Sequence, residues 1–250
     1  MNEPKRSHIT SSTFVVIKMQ FQVTLHCLKI RISIGFIDNY FIFTNKYIII
    51  VFSGENMIKT TGILVEEYKS YRNPKMKIGR LVKERKLIPI IRGLYETDDS
   101  VPGYLLANII YGPSYLSFEF ALSWYDLIPE AVFTITSASF SKKKNKRYDT
   151  FYGCYTYMDV PQQVFPYGKK YFEENNYGFI IASKEKAICD QLYKCHPCSN
   201  KTELKALLFD NLRIDENSFW NTDLEQMEEL ANLYNTKNHK LLLSLLNEGK

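Results

Sequence analysis

The sequence lacks three common catalytic signatures. It has no glycine loop of the phosphate-cradling type, no HExxH pair and no Gly-x-Ser-x-Gly elbow, so the chemistries those motifs carry have no residues here. It also lacks a disulfide framework. Cys27, Cys154, Cys189, Cys195 and Cys198 are odd in number and irregular in spacing, and the simplest expectation is a reducing, cytoplasmic setting. No uninterrupted apolar run is long enough to cross a bilayer. The most apolar stretch, residues 30–52, is broken by Arg31, Asp38, Asn39, Asn45 and Lys46 into pieces shorter than the roughly 20 residues a span needs. That stretch lies far from the N-terminus and has no small-residue cleavage site, which argues against a signal peptide. Neither helical nor alternating periodicity runs through it.

Nor is there a large charge of one sign. The formal net charge is +5, with 45% hydrophobic and 24% charged residues over 250 positions. That composition suits one large or two small domains with proper cores. The total hides an asymmetry. Residues 1–56 carry 6 Lys/Arg and 3 Asp/Glu, residues 57–92 carry 10 and 3, and residues 93–250 carry 16 and 21. A short basic segment joined to an acidic remainder is the pattern of a polyanion-binding module fused to something else.

Residues 1–56 are rich in Ile, Phe, Tyr, Asn and Lys, the residues that AT-rich DNA encodes in an arbitrary frame. Gly54-Glu55 can be written GGA-GAA, a ribosome-binding sequence shortly before Met57. The expectation is therefore that Met57 is the start and that residues 1–56 are translated upstream DNA; the alternative is a genuine N-terminal extension.

The segment after Met57 is patterned. Ile63, Leu64, Glu67 and Tyr68 predict a short helix capped by Thr60 or Thr61. Asn73-Pro74 then supplies an N-cap and a first helical residue, and Ile78, Leu81, Val82 and Arg85 form one buried stripe. Lys75, Lys77, Arg80, Lys83 and Lys86 fall largely off that stripe. The run from Leu87 to Ile91 is short and β-branched, Arg92-Gly93 supplies a turn, and Leu94-Tyr95 returns as a strand. Helix, basic helix and small hairpin is the order of a winged helix-turn-helix, whose second helix enters the major groove of double-stranded DNA while the hairpin lies beside it. Lys75, Lys77, Arg80, Lys83, Lys86 and Arg92 are the candidate DNA contacts. A solvated basic helix is the plainer reading of the same residues.

Further on, Ser117 is placed to cap a helix through Phe118, Phe120, Ala121, Leu122 and Trp124, with Glu119 in its first turn. A strand is expected over residues 132–136 and an aromatic strand over residues 151–157. Between them Lys142, Lys143, Lys144, Lys146 and Arg147 read as a basic hairpin loop, either a solvated turn or a set of secondary phosphate contacts. Residues 177–182 read as a buried strand entering a helix capped by Ser183. Glu185, Lys184 or Lys186, and Asp190 can imitate the cluster of a metal-dependent nuclease, but an exposed Lys186–Asp190 pair at i, i+4 is the simpler expectation. Cys195-x-x-Cys198 is the sole well-spaced pair among Cys189, Cys195, His196 and Cys198, so no metal is expected, and Cys189 reads as a small buried hydrophobe. From Thr202 onward three leucine-rich stripes predict helices that pack as core.

Four blocks taken in order, IRGLYE, PSYLSFEFALSWYDLIPE, FTITSASFSKKKNKRYDTFYGCYTY and YGFIIASKEKAICDQLY, resemble the AbiEi family of antitoxins from bacterial abortive-infection systems of the type IV toxin–antitoxin class. The resemblance covers residues 57–193 or thereabouts. It departs at Tyr125-Asp126, where the family has His-Gly, leaving a helix end without its glycine. The resemblance implies a cytoplasmic, non-enzymatic protein that binds inverted repeats in its own promoter and represses it. It also implies antagonism of a co-transcribed nucleotidyltransferase toxin, with or without a direct complex, and no cofactor. A winged-helix regulator with no toxin partner is the alternative, and a metal-dependent nuclease the next.

The resulting expectation is an α+β chain: an upstream extension over residues 1–56, a winged helix-turn-helix over residues 57–98, and a mixed α/β domain with a helical C-terminus over residues 99–250.

Overall fold

The structure, a computed structural model, describes residues 40–44, 47–51 and 58–248, the first two stretches as backbone alone. There β1 (Tyr40–Thr44) and β2 (Tyr47–Val51) pair antiparallel, Tyr40 opposite Val51 and Thr44 opposite Tyr47. Two strands thus stand where the sequence showed no periodicity. The rest of that segment, including the expected start at Met57, lies outside the described residues.

β3 (Lys59–Thr60), α1 (Thr61–Glu67), α2 (Pro74–Lys83), β4 (Ile88–Ile91) and β5 (Leu94–Glu96) come next. Local chemistry agrees with each boundary. The Thr60 hydroxyl accepts from the Ile63 N–H at 3.3 Å, the Asn73 side chain accepts from the Met76 N–H at 3.2 Å, and Pro74 opens α2, so the first-turn donors are satisfied. Leu64, Ile78, Leu81 and Leu87 bury together as a small core, with Val65, Tyr68, Val82 and Tyr95 against it. The strands form a sheet in the order β3-β5-β4. Gly93 turns the β4–β5 hairpin at φ +87°, and its carbonyl accepts from the Thr61 N–H at 3.0 Å.

The stripe on α2 ends one residue group earlier than its spacing predicts. Arg85 takes the left-handed conformation, φ +56°, and is exposed. The Arg85 N–H donates to the Val82 carbonyl and the Lys86 N–H to the Leu81 carbonyl, at 3.1 and 2.9 Å. This is a Schellman stop with arginine in the position glycine usually fills.

The remainder is a six-stranded sheet with helices. In chain order it comprises α3 (Ala107–Ile110), β6 (Ser114–Leu116), α4 (Phe118–Trp124), β7 (Thr134–Ser139), β8 (Lys146–Thr150), β9 (Gly153–Asp159), β10 (Lys169–Glu174), β11 (Tyr177–Ala182) and α5 (Lys184–Lys194). It closes with α6 (Lys201–Lys205), a π-helical turn over Ala206–Asn211, α7 (Glu216–Trp220), α8 (Leu224–Tyr234) and α9 (Lys237–Leu246). The fold is therefore mixed α+β with a helical C-terminus. Strand order is β10-β11-β6-β7-β9-β8, with β11/β6 and β7/β9 parallel and the other neighbours antiparallel. The leucine stripes bury as expected: Leu204 and Leu208, then Met227, Leu230 and Ala231, then Leu242, Leu245 and Leu246. Among the described residues no helix is long and apolar enough to cross a membrane.

Two expectations are corrected. The run 142–147 is not a hairpin loop between adjacent strands: Lys146 and Arg147 begin β8, which forms the sheet edge, and β9 returns between β8 and β7. Ser117 starts α4 but does not cap it, because its hydroxyl donates to Asp190 at 2.6 Å. Thr136 substitutes, accepting from the Phe120 N–H at 3.0 Å and donating to the Ser117 carbonyl at 2.5 Å. α4 then stops as α2 does, with Asp126 at φ +55° and the Leu127 N–H on the Leu122 carbonyl at 2.9 Å.

The hairpin belongs to both cores. Leu87 and Tyr95 contribute to the small one, while Ile90 is buried in the large one with Ile91 and Leu94 packed against it. Glu96, fully buried at the end of β5, accepts from the Tyr177 hydroxyl at 2.8 Å and from the Thr97 N–H at 2.7 Å.

Candidate nucleic-acid interface

Burying Ile78 and Leu81 fixes which way α2 faces, and the residues off that stripe follow from the helical period. Lys75, Met76, Gly79, Arg80 and Lys83 are exposed, and Lys77 is half-buried. None of Lys75, Lys77, Arg80 and Lys83 forms an ion pair with a described carboxylate. Exposed cations held on one helix face outside any ion pair leave a positive potential for an anionic ligand. Lys86 does not share this arrangement. It follows the Arg85 stop, outside α2, and pairs with Glu84 at 3.1 Å. Arg92 stands exposed in the hairpin turn, as its sequence position predicts.

Four residues that the sequence pattern did not mark complete the face. Tyr71, Arg72, Asn73, Met76, Lys77 and Arg80 line an open concavity of about 460 Å³ at the start of α2. Tyr71 is 49% exposed, its ring edge-on to Tyr68 at 5.9 Å and under the Lys77 ammonium at 5.2 Å. The sequence signal was present, since Tyr71-Arg72 immediately precedes the cap, but no periodicity marks residues in a connection. Met76, 66% exposed, and Gly79 are the other unpredicted members of the face. A glycine inside a helix costs about 1 kcal/mol relative to alanine.

The second basic run is held as a shaped loop. Asp159 accepts from the Lys142 and Lys143 N–H groups at 2.6 and 2.7 Å and from the Ser139 hydroxyl at 2.7 Å. The Lys142 ammonium donates to the Gly112 carbonyl at 3.0 Å and lies over the Tyr111 ring, and Arg147 pairs with Asp149 at 2.9 Å. Lys143, Lys144 and Lys146 are exposed. β8 lies against β4, so this run borders the hairpin.

The nuclease-like residues are arranged differently from expectation. Lys186 and Asp190 pair at 3.2 Å with both side chains fully buried, which corrects the exposed pair. Asp190 accepts from the hydroxyls of Ser117 at 2.6 Å, Tyr115 at 3.0 Å and Tyr234, while the Lys186 ammonium donates to Tyr234 at 2.6 Å. Burial and the adjacent Asp190 charge push both tyrosine hydroxyls well above their ordinary pKa. Glu185 accepts from the Asp223 N–H at 3.0 Å. The polar atoms of this cluster are thus spent on one another. The neighbouring Lys169, over the Phe165 ring at 4.5 Å, is pushed down to about 8 by burial and by Lys186. Cys189 is buried and burial raises its thiol pKa. Among the described residues no three His, Cys, Asp or Glu side chains converge as a metal-ligand set.

Comparison with models of known families and with curated proteins finds no match. Function therefore has to be argued from the site itself.

Proposed function

We propose that this chain is a cytoplasmic DNA-binding antitoxin that represses its own promoter, with residues 57–98 acting as a winged helix-turn-helix. The observation carrying the DNA reading is the α2 face, where Lys75, Arg80 and Lys83 are exposed and in no ion pair with a described carboxylate, and Arg92 occupies the turn of the adjoining hairpin. A helix with its side chains is about 10–12 Å across and the B-DNA major groove about 12 Å wide, so α2 can enter with those cations facing phosphates and base edges. Arg72 and Tyr71, in the concavity at the start of α2, extend the same face. Lys143, Lys144 and Lys146 supply secondary phosphate contacts. The antitoxin half rests on the four-block resemblance to AbiEi antitoxins over residues 57–193.

Binding of the full chain to a duplex from its own promoter, followed by fluorescence anisotropy over a salt series, tests the first half. Each phosphate contact contributes about 0.9 to the log–log salt slope, so Arg80→Ala with Lys83→Ala should lower the slope by roughly 2 and weaken binding. Unchanged affinity in that double variant defeats the assignment of α2. Co-expression with the nucleotidyltransferase encoded by a neighbouring gene tests the second half: restored growth supports an antitoxin, and DNA binding without rescue supports a regulator with no toxin partner.

A further inference from the structure

Gly79 has no reason inside the chain to be glycine. It sits within α2, where glycine is the poorest helix former apart from proline, and a Cβ built on it meets no atom within 4 Å. Gly93 and Gly103 are explained by their surroundings, whereas Gly62 in α1 is not, since a Cβ there would make an ordinary contact with the Thr60 hydroxyl at 3.7 Å. A Cβ on Gly103 would come within 2.2 Å of the Tyr152 carbonyl oxygen, and Gly93 takes φ +87°. Neither condition holds at Gly79. One turn earlier in α2, Met76 leaves 66% of its surface exposed, and Lys75, Arg80 and Lys83 share its side of the helix. A missing side chain and an unbranched apolar one, adjacent on a face otherwise made of cations, describe a surface shaped by something outside the chain. That partner is anionic overall, comes close to the helix, and offers an apolar group.

We propose that Gly79 is the point of closest approach between α2 and the base edges of the major groove, and that Met76 packs against the 5-methyl group of a thymine. This rests on the DNA-binding reading of α2. The groove is scarcely wider than a helix with its side chains, so the bulkiest side chain at the point of contact limits how deeply the helix seats. Glycine at that point lets Lys75, Arg80 and Lys83 reach their partners. The thymine methyl is the apolar group that base pairs present in the major groove, and residues in the first turns of a recognition helix are the ones that reach base edges. The recognised site therefore carries an A·T pair beneath Met76.

The test uses the full chain, a duplex copied from the DNA preceding and spanning its own start, and a scrambled duplex of equal length. Gly79→Ala should raise Tm by about 2–4 °C, as removal of a helix-interior glycine does in a chain of this size. The same substitution should weaken the promoter complex by about fivefold or more and the scrambled complex by less. Opposite effects on stability and specific binding are the signature of a glycine kept for its partner. Replacing thymines with deoxyuridine removes the methyl groups alone; wild type should lose affinity severalfold, and Met76→Ala should bind the two duplexes equally. If Gly79→Ala is stabilised and binds the promoter as tightly as wild type, while Arg80→Ala with Lys83→Ala still loses binding, the inference fails and the DNA reading stands. Undiminished deoxyuridine sensitivity in Met76→Ala overturns the thymine contact. If wild type binds neither duplex in a salt-dependent way, both the reading and the inference fall.

Discussion

The Lys186 ammonium and the Asp190 carboxylate, one turn apart on α5, stand 3.2 Å apart with neither side chain reaching solvent. Desolvating both charges is expensive, and their attraction together with the hydroxyls of Tyr115, Ser117 and Tyr234 has to offset it. Removing one partner leaves the other charge buried and uncompensated. Asp190→Leu should therefore lower unfolding free energy by about 3–5 kcal/mol in urea titrations. Adding Lys186→Met to Asp190→Leu should recover part of that loss. A double variant no better than the single would mean that the hydroxyl network, not the charge pair, dominates.

His239 gives the fold an acid limit. Its ring stacks on Tyr234 at 4.3 Å, its nitrogens face Thr236 and the Cys189 carbonyl, and burial holds its pKa at about 4. Above the ordinary histidine value near 6.5 both folded and unfolded states are neutral and the group adds no pH dependence. As pH falls from about 6.5 to 4 the unfolded chain takes up a proton that the folded chain refuses, so stability drops by roughly 3 kcal/mol over that window. Denaturant midpoints between pH 7 and 4.5 should fall more steeply for wild type than for His239→Leu.

Left-handed residues at two helix ends are also testable. Arg85 and Asp126 both close Schellman stops at φ near +55°, a conformation costing non-glycine residues about 1–2 kcal/mol. Glycine removes that cost but adds about 0.4–1 kcal/mol of unfolded-state entropy. Arg85→Gly and Asp126→Gly should each gain roughly 0.5–1 kcal/mol, read as a higher denaturant midpoint at unchanged slope.

Asp159 is the anchor of the second basic run. Asp159→Ala strands two backbone donors and one hydroxyl, a loss of about 1–3 kcal/mol where such groups become unsatisfied. Trypsin should cut after Lys142, Lys143 and Lys144 faster in Asp159→Ala than in wild type. Equal cleavage rates would show that the loop holds its shape without the carboxylate.

Local signals carried the segment from Ile58 to Glu96. Thr60, Asn73-Pro74 and Arg92-Gly93 act through near neighbours, so their caps and turn could be read one residue at a time. The stripe of Ile78 and Leu81 was equally visible because burial follows the helical period. Arg85 was misplaced because its aliphatic stem fits an i+7 position, while the stop depends on backbone bonds to Leu81 and Val82 that side-chain periodicity does not encode. Lys186 and Asp190 read as a surface pair because i, i+4 spacing is the same on either face of a helix. What buries them is Tyr115 on β6 and Tyr234 on α8, far apart in sequence. Ser117 failed as a cap for the same reason: its competitor, Asp190, comes from a different element. Gly79 and Met76 drew no attention because a glycine and a methionine become informative when the space around them is known.

The hairpin that contributes Leu87 and Tyr95 to one core and Ile90 to the other has a mechanical consequence. α2 joins the six-stranded sheet through a packed double strand, with the Tyr177 hydroxyl donating to Glu96 at 2.8 Å. The β4–β5 hairpin is therefore a packed element common to the basic helix and the six-stranded sheet, and loosening either core removes part of its support.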